Sequence, residues 1–180
     1  DQEGGTVRRI KEGVPDVPSA RNLGTGSTPA EAAELARRTA HDLLALGVNM
    51  NLAPVVDVQR GEIEKHLAGR SFGEDPEVVA FLGRTVVKHL QKNGIMAVAK
   101  HFPGLGRADV DPHFHLPKIN IGLEELERVN FPPFAAAIEE GVCGIMTSHA
   151  IYPALDPEKP ATLSPMVLTM RQPPLMVPRA

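Results

Sequence analysis

Apolar and polar residues alternate along this chain in blocks that predict helices followed by strands. The apolar positions recur at helical spacing after Thr28 and Asp75, each of which can cap a helix with a proline directly behind it. These patterns predict helices over 28–47, 75–94 and 123–141, the last interrupted near Pro132 and Pro133. The apolar runs that follow predict strands over 95–100 and 142–148, and a strand with the loop beyond it over 48–58.

A glycine stands at each predicted change from helix to strand, at Gly47, Gly94 and Gly141. The turns from helix to strand are very short, whereas the connections from strand to helix are long and hold most of the unusual polar residues. This order is typical of parallel strands with helical crossovers. In a (β/α) barrel, the loops that follow the strands build the active site.

The predicted fold class is α/β, a partial (β/α) TIM-type barrel that is incomplete at both ends. Three strands are predicted, and a full barrel needs about eight. A doubly wound sheet is the alternative, but the glycines at 24 and 26 do not follow a strand, as a phosphate-binding fingerprint would require. We expect a partial barrel domain over 1–169 and a proline-rich tail over 170–180, in which three prolines oppose helix and central strand alike.

Composition narrows the classes of partner. With 42% apolar and 23% charged residues, the chain resembles ordinary soluble domains. A net charge of −3, with both signs interspersed, gives no electrostatic footprint for nucleic acid or an anionic membrane. The single cysteine, Cys143, lies in an apolar run and is expected to be buried; it excludes an internal disulfide and favours a cytoplasmic location. No segment has the pattern of a membrane span or a signal peptide.

Candidate chemistry is concentrated after the second predicted strand. Residues 100–106 read KHFPGLG, and Asp111 stands two positions before His113. A carboxylate beside an imidazole can fix the ring tautomer and stabilise its cation, which suits proton transfer. A polar loop after a buried strand is the structural alternative for an isolated Asp-x-His pair.

Four ordered motifs give the chain a family resemblance: DQEGGTVRR at 1–9, GRSFGEDP at 69–76, KHFPG at 100–104 and Asp111-x-His113. Together they resemble glycoside hydrolase family 3, and most closely its bacterial β-N-acetylglucosaminidase branch, which trims N-acetylglucosamine from recycled peptidoglycan fragments. The resemblance runs from Asp1 to about Thr169 and includes ATLSP at 161–165.

The resemblance implies a role for each matching residue. Asp1, Arg9, Arg70, Lys100 and His101 match residues that bind sugar hydroxyls, a task for which charge-assisted hydrogen bonds are suited. His113 matches the general acid/base and Asp111 its orienting partner, a departure from the usual pair of carboxylates. For Arg70, a surface ion pair with Glu74 or Asp75 is the alternative.

The chain also departs from the family pattern. Leu105 stands where the family usually has histidine, and Pro112 where this branch usually has serine. The motif that carries the aspartate nucleophile does not follow the Leu-Thr segment, so the nucleophile is unknown. It is assigned to none of the other aspartates considered, which are Asp16, Asp57, Asp109 and Asp156. Because a retaining glycosidase needs that carboxylate, we expect impaired hydrolysis by this chain alone.

Three other interpretations fit the sequence. An inert sugar-binding fragment and a β-glucosidase-type member of the family are the nearest alternatives. A zinc hydrolase using His101, His113 and His115 with Asp109 or Asp111 is a more distant one. The expected partner is a small carbohydrate, an N-acetylglucosaminide or a muropeptide fragment, with neither nucleic acid nor membrane. No cofactor or metal is expected, and a homo-oligomer could complete the barrel.

Overall fold

The computed structural model describes residues 1–26, 28–61 and 67–170, so the predicted tail lies outside the described residues from 171 onward. The helices are α1 (Ala20–Gly26), α2 (Pro29–Ala45), α3 (Pro76–Lys92), α4 (Leu123–Glu125), α5 (Phe131–Glu139) and α6 (Pro165–Leu168). The strands are β1 (Gln2–Gly4), β2 (Val7–Arg8), β3 (Met50–Asn51), β4 (Met96–Phe102), β5 (Gly144–Thr147), β6 (Ile151–Tyr152) and β7 (Asp156–Pro160).

The helix starts follow the predicted capping residues. The Thr28 side chain accepts a hydrogen bond from the Glu31 N–H at 3.3 Å, and the Glu31 carboxylate accepts from the Thr28 N–H at 2.6 Å. The Asp75 carboxylate accepts from the Glu77 N–H at 2.8 Å. Side-chain acceptors thus satisfy N–H groups that have no partner within the helix.

The three glycines end their helices in one common way. Gly47, Gly94 and Gly141 have positive φ values of 77°, 86° and 80°. In each case the next residue donates its N–H to a carbonyl five residues earlier, in the pairs Val48–Leu43, Ile95–Leu90 and Val142–Ala137. This is the left-handed ending that glycine favours, and it turns the chain directly from helix toward strand, as the sequence predicted.

The predicted interruption of the third helix is confirmed, although it begins earlier than the prolines. A π-helical turn at Leu126–Asn130 connects α4 to α5. Pro132 and Pro133 lie in the first turn of α5, where a missing N–H costs no helical hydrogen bond. The regular helix therefore restarts at the prolines.

Three parallel strands, in the order β3-β4-β5, form the central sheet and confirm the predicted α/β class. Met50 pairs with Met96, and Val98 with Gly144. The strand predicted within 48–58 is confirmed as Met50–Asn51. The predicted loop beyond it contains Pro54, which has no N–H to donate, and an isolated parallel bridge then pairs Val55 with Lys100. Within the described ranges, the strands form a partial α/β domain and do not close into a barrel.

The N-terminal hairpin of β1 and β2 is attached to this sheet through Asn51. The Asn51 side chain accepts from the Gln2 N–H and donates to the Gln2 carbonyl, both at 2.9 Å. An amide side chain thereby replaces a strand partner, and it fixes Asp1 and Glu3 beside the sheet. The β1–β2 and β6–β7 hairpins and helix α1 were not predicted from the sequence.

Two apolar clusters hold these elements together. The larger one joins α2, α3 and α5 to the sheet through residues that include Ala40, Leu82 and Phe134. The smaller one lies under the loops after β4 and β5 and includes Leu105 and Tyr152. The Phe102 ring packs edge-on against Phe134 at 5.2 Å between ring centroids and contacts both clusters.

Cys143 corrects one expectation, because it is exposed rather than buried. The apolar run that contains it begins as the turn after α5, and β5 starts at Gly144. The Cys143 N–H donates to the Gln91 side chain at 2.8 Å on the outer surface. In the described parts of the chain, no helix is long and apolar enough to cross a membrane.

Candidate active site

A cleft of about 620 Å³ opens where β4 and β5 end. It is lined by Asp1, Arg9, Arg70, Lys100, His101 and His113, which are six of the seven predicted site residues. The seventh, Asp111, contacts His113 directly. The long connections from strand to helix therefore come together as the sequence predicted, because parallel strands present their carboxyl ends at the same edge of a sheet.

Lys100 lies at the centre of the polar floor of this cleft. Its side chain is 2% exposed, and its ammonium donates to Asp1 Oδ1 and Glu3 Oε1, each at 2.6 Å. Burial lowers the pKa of Lys100, and the Glu3 carboxylate opposes that shift. Two carboxylates thus hold the ammonium in a fixed position where Lys100 lines the cleft.

Arg70 is paired with Glu3 rather than with the surface acids that follow it. Its Nε and Nη2 atoms donate to the two Glu3 oxygens, both at 2.8 Å, in a bidentate pair. The alternative of an ion pair with Glu74 or Asp75 is wrong, since Glu74 pairs with Arg21 at 3.4 Å and the Asp75 carboxylate accepts from the Glu77 N–H. The guanidinium is therefore fixed in its plane at the cleft wall.

Glu3 is a member of this site that the sequence analysis missed. Its side chain is 4% exposed and joins Lys100 to Arg70. Burial alone raises the pKa of Glu3, but the hydrogen bonds and charges of Arg70 and Lys100 outweigh that effect and hold it below its ordinary value. Its position in the motif at 1–9, two residues after Asp1, was the sequence signal that could have identified it.

Asp57 is the second residue that was missed, and it holds His101. Its side chain is 3% exposed, and Oδ2 lies 2.8 Å from His101 Nδ1. Its Oδ1 accepts from the backbone N–H groups of His101 at 3.0 Å and Leu105 at 2.8 Å. Burial alone raises the pKa of Asp57, but the imidazole and these N–H groups outweigh it and keep the pKa below its ordinary value.

The 100–106 segment is also held from its other side. The Tyr152 hydroxyl donates to the Gly104 carbonyl at 2.9 Å, and the Asn130 amide donates to the same oxygen at 3.3 Å. Leu105 is buried in the smaller apolar cluster. Donors and acceptors on both sides thus fix the backbone that carries His101, and the leucine contributes packing where the family usually has a polar ring.

The Asp111–His113 pair has the predicted geometry on an exposed loop. Asp111 Oδ1 lies 2.7 Å from His113 Nδ1 and accepts from the His113 backbone N–H at 2.8 Å. The His113 side chain is 72% exposed, and Pro112 between them lines the cleft. Because a carboxylate accepts at Nδ1, the Nε2 atom is the one left to exchange a proton.

The other aspartates considered do not supply a second free carboxylate to the cleft. Asp16 pairs with Arg8, Asp57 is used by His101, and Asp156 accepts from the N–H groups of its own turn at Glu158 and Lys159. Asp109 is exposed and does not line the cleft. Among the residues that the structure describes, Asp1 is the cleft-lining aspartate, and it is occupied by Lys100.

The zinc alternative gains no support from the geometry. Within ranges 1–26, 28–61 and 67–170, no group of three or more histidine, cysteine, aspartate or glutamate residues could hold a metal ion. His101 and His113 are each engaged by a different aspartate, at 2.8 and 2.7 Å. The two imidazoles therefore belong to separate hydrogen-bonded pairs.

Comparison with known proteins identifies the family of this chain. The sequence model described as the glycosyl hydrolase family 3 N terminal domain matches residues 1–172. The chain therefore belongs to glycoside hydrolase family 3, whose N-terminal domain has a TIM-barrel-like fold.

Individual relatives resemble the chain over nearly its whole length. An "uncharacterized secreted glycosyl hydrolase" of Arthroderma benhamiae is 43% identical over 91% of the chain and 47% of that relative. A family 3 β-N-acetylglucosaminidase from Paenibacillus superposes with a TM-score of 0.90 at 41% identity, over 93% of this chain and 32% of that one. NagZ from Neisseria gonorrhoeae, in complex with N-trifluoroacetyl-D-glucosamine, superposes with a TM-score of 0.87 at 34% identity, over 93% and 51%. The chain spans about half the length of the curated relatives it matches.

Proposed function

We propose that this chain carries the sugar-binding and acid/base residues of a retaining β-N-acetylhexosaminidase that removes terminal β-linked N-acetylglucosamine. The observation that carries the proposal is that one cleft holds both the buried charged cluster around Lys100 and the Asp111–His113 pair. The solved relatives that carry the names β-N-acetylglucosaminidase and NagZ, the latter with a bound glucosamine derivative, support the substrate class.

The cluster suits the non-reducing sugar because its charged groups are fixed before the ligand arrives. Arg70 and Lys100 are held by Glu3, so they lose little further freedom when they bind hydroxyl oxygens. Asp1 and His101 add acceptors for hydroxyl protons. Arg9, which is exposed at the cleft edge, is placed to reach a sugar from the solvent side.

In this mechanism His113 acts on both halves of the reaction. The Nε2 proton of the charged imidazole passes to the glycosidic oxygen as that bond breaks and a carboxylate takes the anomeric carbon. In the second half, neutral Nε2 takes a proton from the water that hydrolyses the glycosyl-enzyme. Asp111 stabilises the charged ring and keeps Nδ1 as the donor to its own oxygen. The carboxylate nucleophile is not assigned to any described residue.

The natural substrate, the cellular process and the location are proposed from the family resemblance. A muropeptide fragment is the proposed natural substrate, and a role in peptidoglycan recycling in the cytoplasm follows from it. An alternative is a sugar-binding chain that does not hydrolyse its ligand. Its supporting observation is that Asp1, the cleft-lining aspartate of the described part, is already paired with Lys100.

The experiment that tests the proposal compares two substrates and two proteins. The 180-residue chain and any longer gene product that contains it are assayed with 4-nitrophenyl N-acetyl-β-glucosaminide and with the matching β-glucoside. We expect the longer product to prefer the N-acetyl substrate, and the chain alone to bind N-acetylglucosamine but hydrolyse poorly. Preference for the glucoside would support a β-glucosidase-type member of the family. Binding without hydrolysis in both proteins would support a sugar-binding chain that is catalytically inert. Light scattering on the same samples tests the proposed homo-oligomer.

A further inference from the structure

We propose that Asp57 is a positioning residue that keeps the His101 proton on Nδ1, so that Nε2 presents a hydrogen-bond acceptor to a sugar hydroxyl. The inference deepens the proposed function and rests on it for the identity of the sugar. The geometry of the Asp57–His101–Arg70 arrangement carries it. His101 is thereby assigned an accepting role that differs from the donating roles of Arg70 and Lys100.

Both Asp57 oxygens lie within hydrogen-bonding distance of partners in the 100–106 segment. Oδ1 already accepts two backbone N–H groups, from His101 and Leu105, and Oδ2 faces His101 Nδ1 at 2.8 Å. An ionised carboxylate can only accept, so the ring must donate from Nδ1. The pKa of Asp57, held low by its imidazole and N–H partners against the effect of burial, is consistent with an ionised carboxylate.

The other ring nitrogen of His101 lies beside a cation. His101 Nε2 lies 3.5 Å from Arg70 Nη2, and a guanidinium has donors but no acceptor. A proton on Nε2 would place two donors, and two positive groups, against each other. The other charged groups of this cluster are Lys100, Glu3 and Asp1, of which Lys100 is a further cation. A lone pair on Nε2 is therefore the arrangement that the neighbours of the ring favour.

A buried sugar hydroxyl needs both a donor and an acceptor from the protein. A hydroxyl has one proton to donate and lone pairs to accept with, whereas Arg70 and Lys100 offer donors alone. A hydroxyl inserted between Arg70 and His101 can accept from Nη2 and donate to Nε2. Without that acceptor, the hydroxyl proton would be buried unsatisfied, which weakens binding. Asp57 therefore influences affinity from a position outside the cleft lining.

The test begins with the wild-type chain and needs no variant. Labelling histidine with ¹⁵N and recording two-bond ¹⁵N–¹H correlations distinguishes the two neutral tautomers of each ring. We expect His101 to carry its proton on Nδ1, with Nε2 unprotonated. A proton on Nε2 in the wild-type chain would overturn the inference whatever the activity of the protein.

The matched variant is Asp57→Asn, which keeps the shape of the side chain. The amide oxygen of this variant can still accept from the His101 and Leu105 N–H groups, while its NH₂ group faces Nδ1 and moves the ring proton to Nε2. We expect an inverted tautomer and affinity for N-acetylglucosamine reduced about tenfold, the order of one unsatisfied polar group. An unchanged tautomer in a folded Asp57→Asn chain would contradict the inference.

Two further variants separate positioning from general stability. In a His101→Ala background, Asp57→Asn should cost no additional affinity, because Asp57 acts through the missing ring. Asp111→Asn changes the other Asp–His pair and should leave the His101 signals unchanged. Additive losses would overturn the proposal. If wild-type protein does not bind N-acetylglucosamine, the proposed function fails, and the tautomer measurement still decides the role of Asp57.

Discussion

Lys100 and His113 line the same cleft, yet the Lys100 side chain is 2% exposed and the His113 side chain is 72% exposed. Lys100 is near the end of a central strand and is surrounded by charges of both signs. His113 is in a loop, where its ring pairs with Asp111. The part of the cleft proposed to bind sugar is therefore fixed by burial, and the part proposed to move protons remains open to solvent.

This difference in exposure suits sugar binding by one region and proton transfer by the other. Binding groups gain from being fixed, because less freedom is lost when the ligand arrives. A proton donor must exchange protons with substrate and with water during one reaction cycle, so an accessible Nε2 is suited to its task. Mutations in the two regions should consequently lower different quantities. Changes in the buried cluster should lower stability, and changes in the exposed pair should lower catalytic activity.

The largest expected effect concerns the stability of the buried cluster. Glu3→Ala leaves Arg70 and Lys100 without their shared carboxylate, and removing one partner of a buried ion pair costs about 3–5 kcal/mol. Urea unfolding should show this as a lower free energy of unfolding. Glu34→Ala, which breaks the exposed pair with Arg37, is the control and should leave the free energy unchanged. Equal behaviour of the two variants would show that the cluster is not a stabilising centre.

The next effect concerns the exposed pair and should appear in activity alone. In a gene product that contains this chain and hydrolyses the N-acetyl substrate, His113→Ala should lower kcat/KM by about 100-fold or more. The free energy of unfolding should stay unchanged. Asp111→Asn should cost a similar factor, and the double variant little more. His115→Ala, which changes a neighbouring exposed histidine outside the cleft lining, is the control. Additive losses would count against a single acid/base unit, and full activity of His113→Ala would end the assignment.

The third effect is on affinity for the sugar, which should depend on buried and exposed cleft residues alike. Arg70→Ala and Lys100→Ala should each weaken N-acetylglucosamine binding by about 1.5–3 kcal/mol, as expected for charge-assisted hydrogen bonds. Both changes also leave Glu3 short of a buried partner, so Glu3→Gln should be added to limit unfolding. Arg9→Ala, at the exposed edge, should weaken binding without this stability cost. If calorimetry shows unchanged affinity in the first two variants, Arg70 and Lys100 have a structural role and do not bind the sugar.

The smallest effect is the response to acid. The pKa values of Glu3 and Asp57 are lowered from 4.5 and 3.8, so near and below these values the folded chain binds fewer protons than the unfolded chain. Stability should therefore be complete above about pH 5 and decrease as the pH falls further. Urea midpoints between about pH 6 and pH 3 measure this, and Glu3→Gln should show a shallower decrease. A midpoint that rises on acidification would contradict the assigned direction.

Local signals explain why the main elements could be predicted. Thr28, Asp75 and the three stopping glycines act on their own neighbours in the chain, so their effects are visible in sequence. The short hairpins are different, since β1 is attached by a side chain 49 residues away, at Asn51. Propensity cannot identify a strand of two or three residues that depends on such a contact.

The order of the longer helices and the central strands, the family, and the residues that line the cleft could be predicted from the sequence, because motifs and caps are local in the chain. How those residues are held depends on contacts that form only in the folded chain. Glu3 meets Arg70 across 67 positions and Asp57 meets His101 across 44, and their charges are set by burial and by partners that no local pattern contains. The exposure of Cys143 and of His113 was decided in the same way, because solvent access depends on which distant elements pack above a residue.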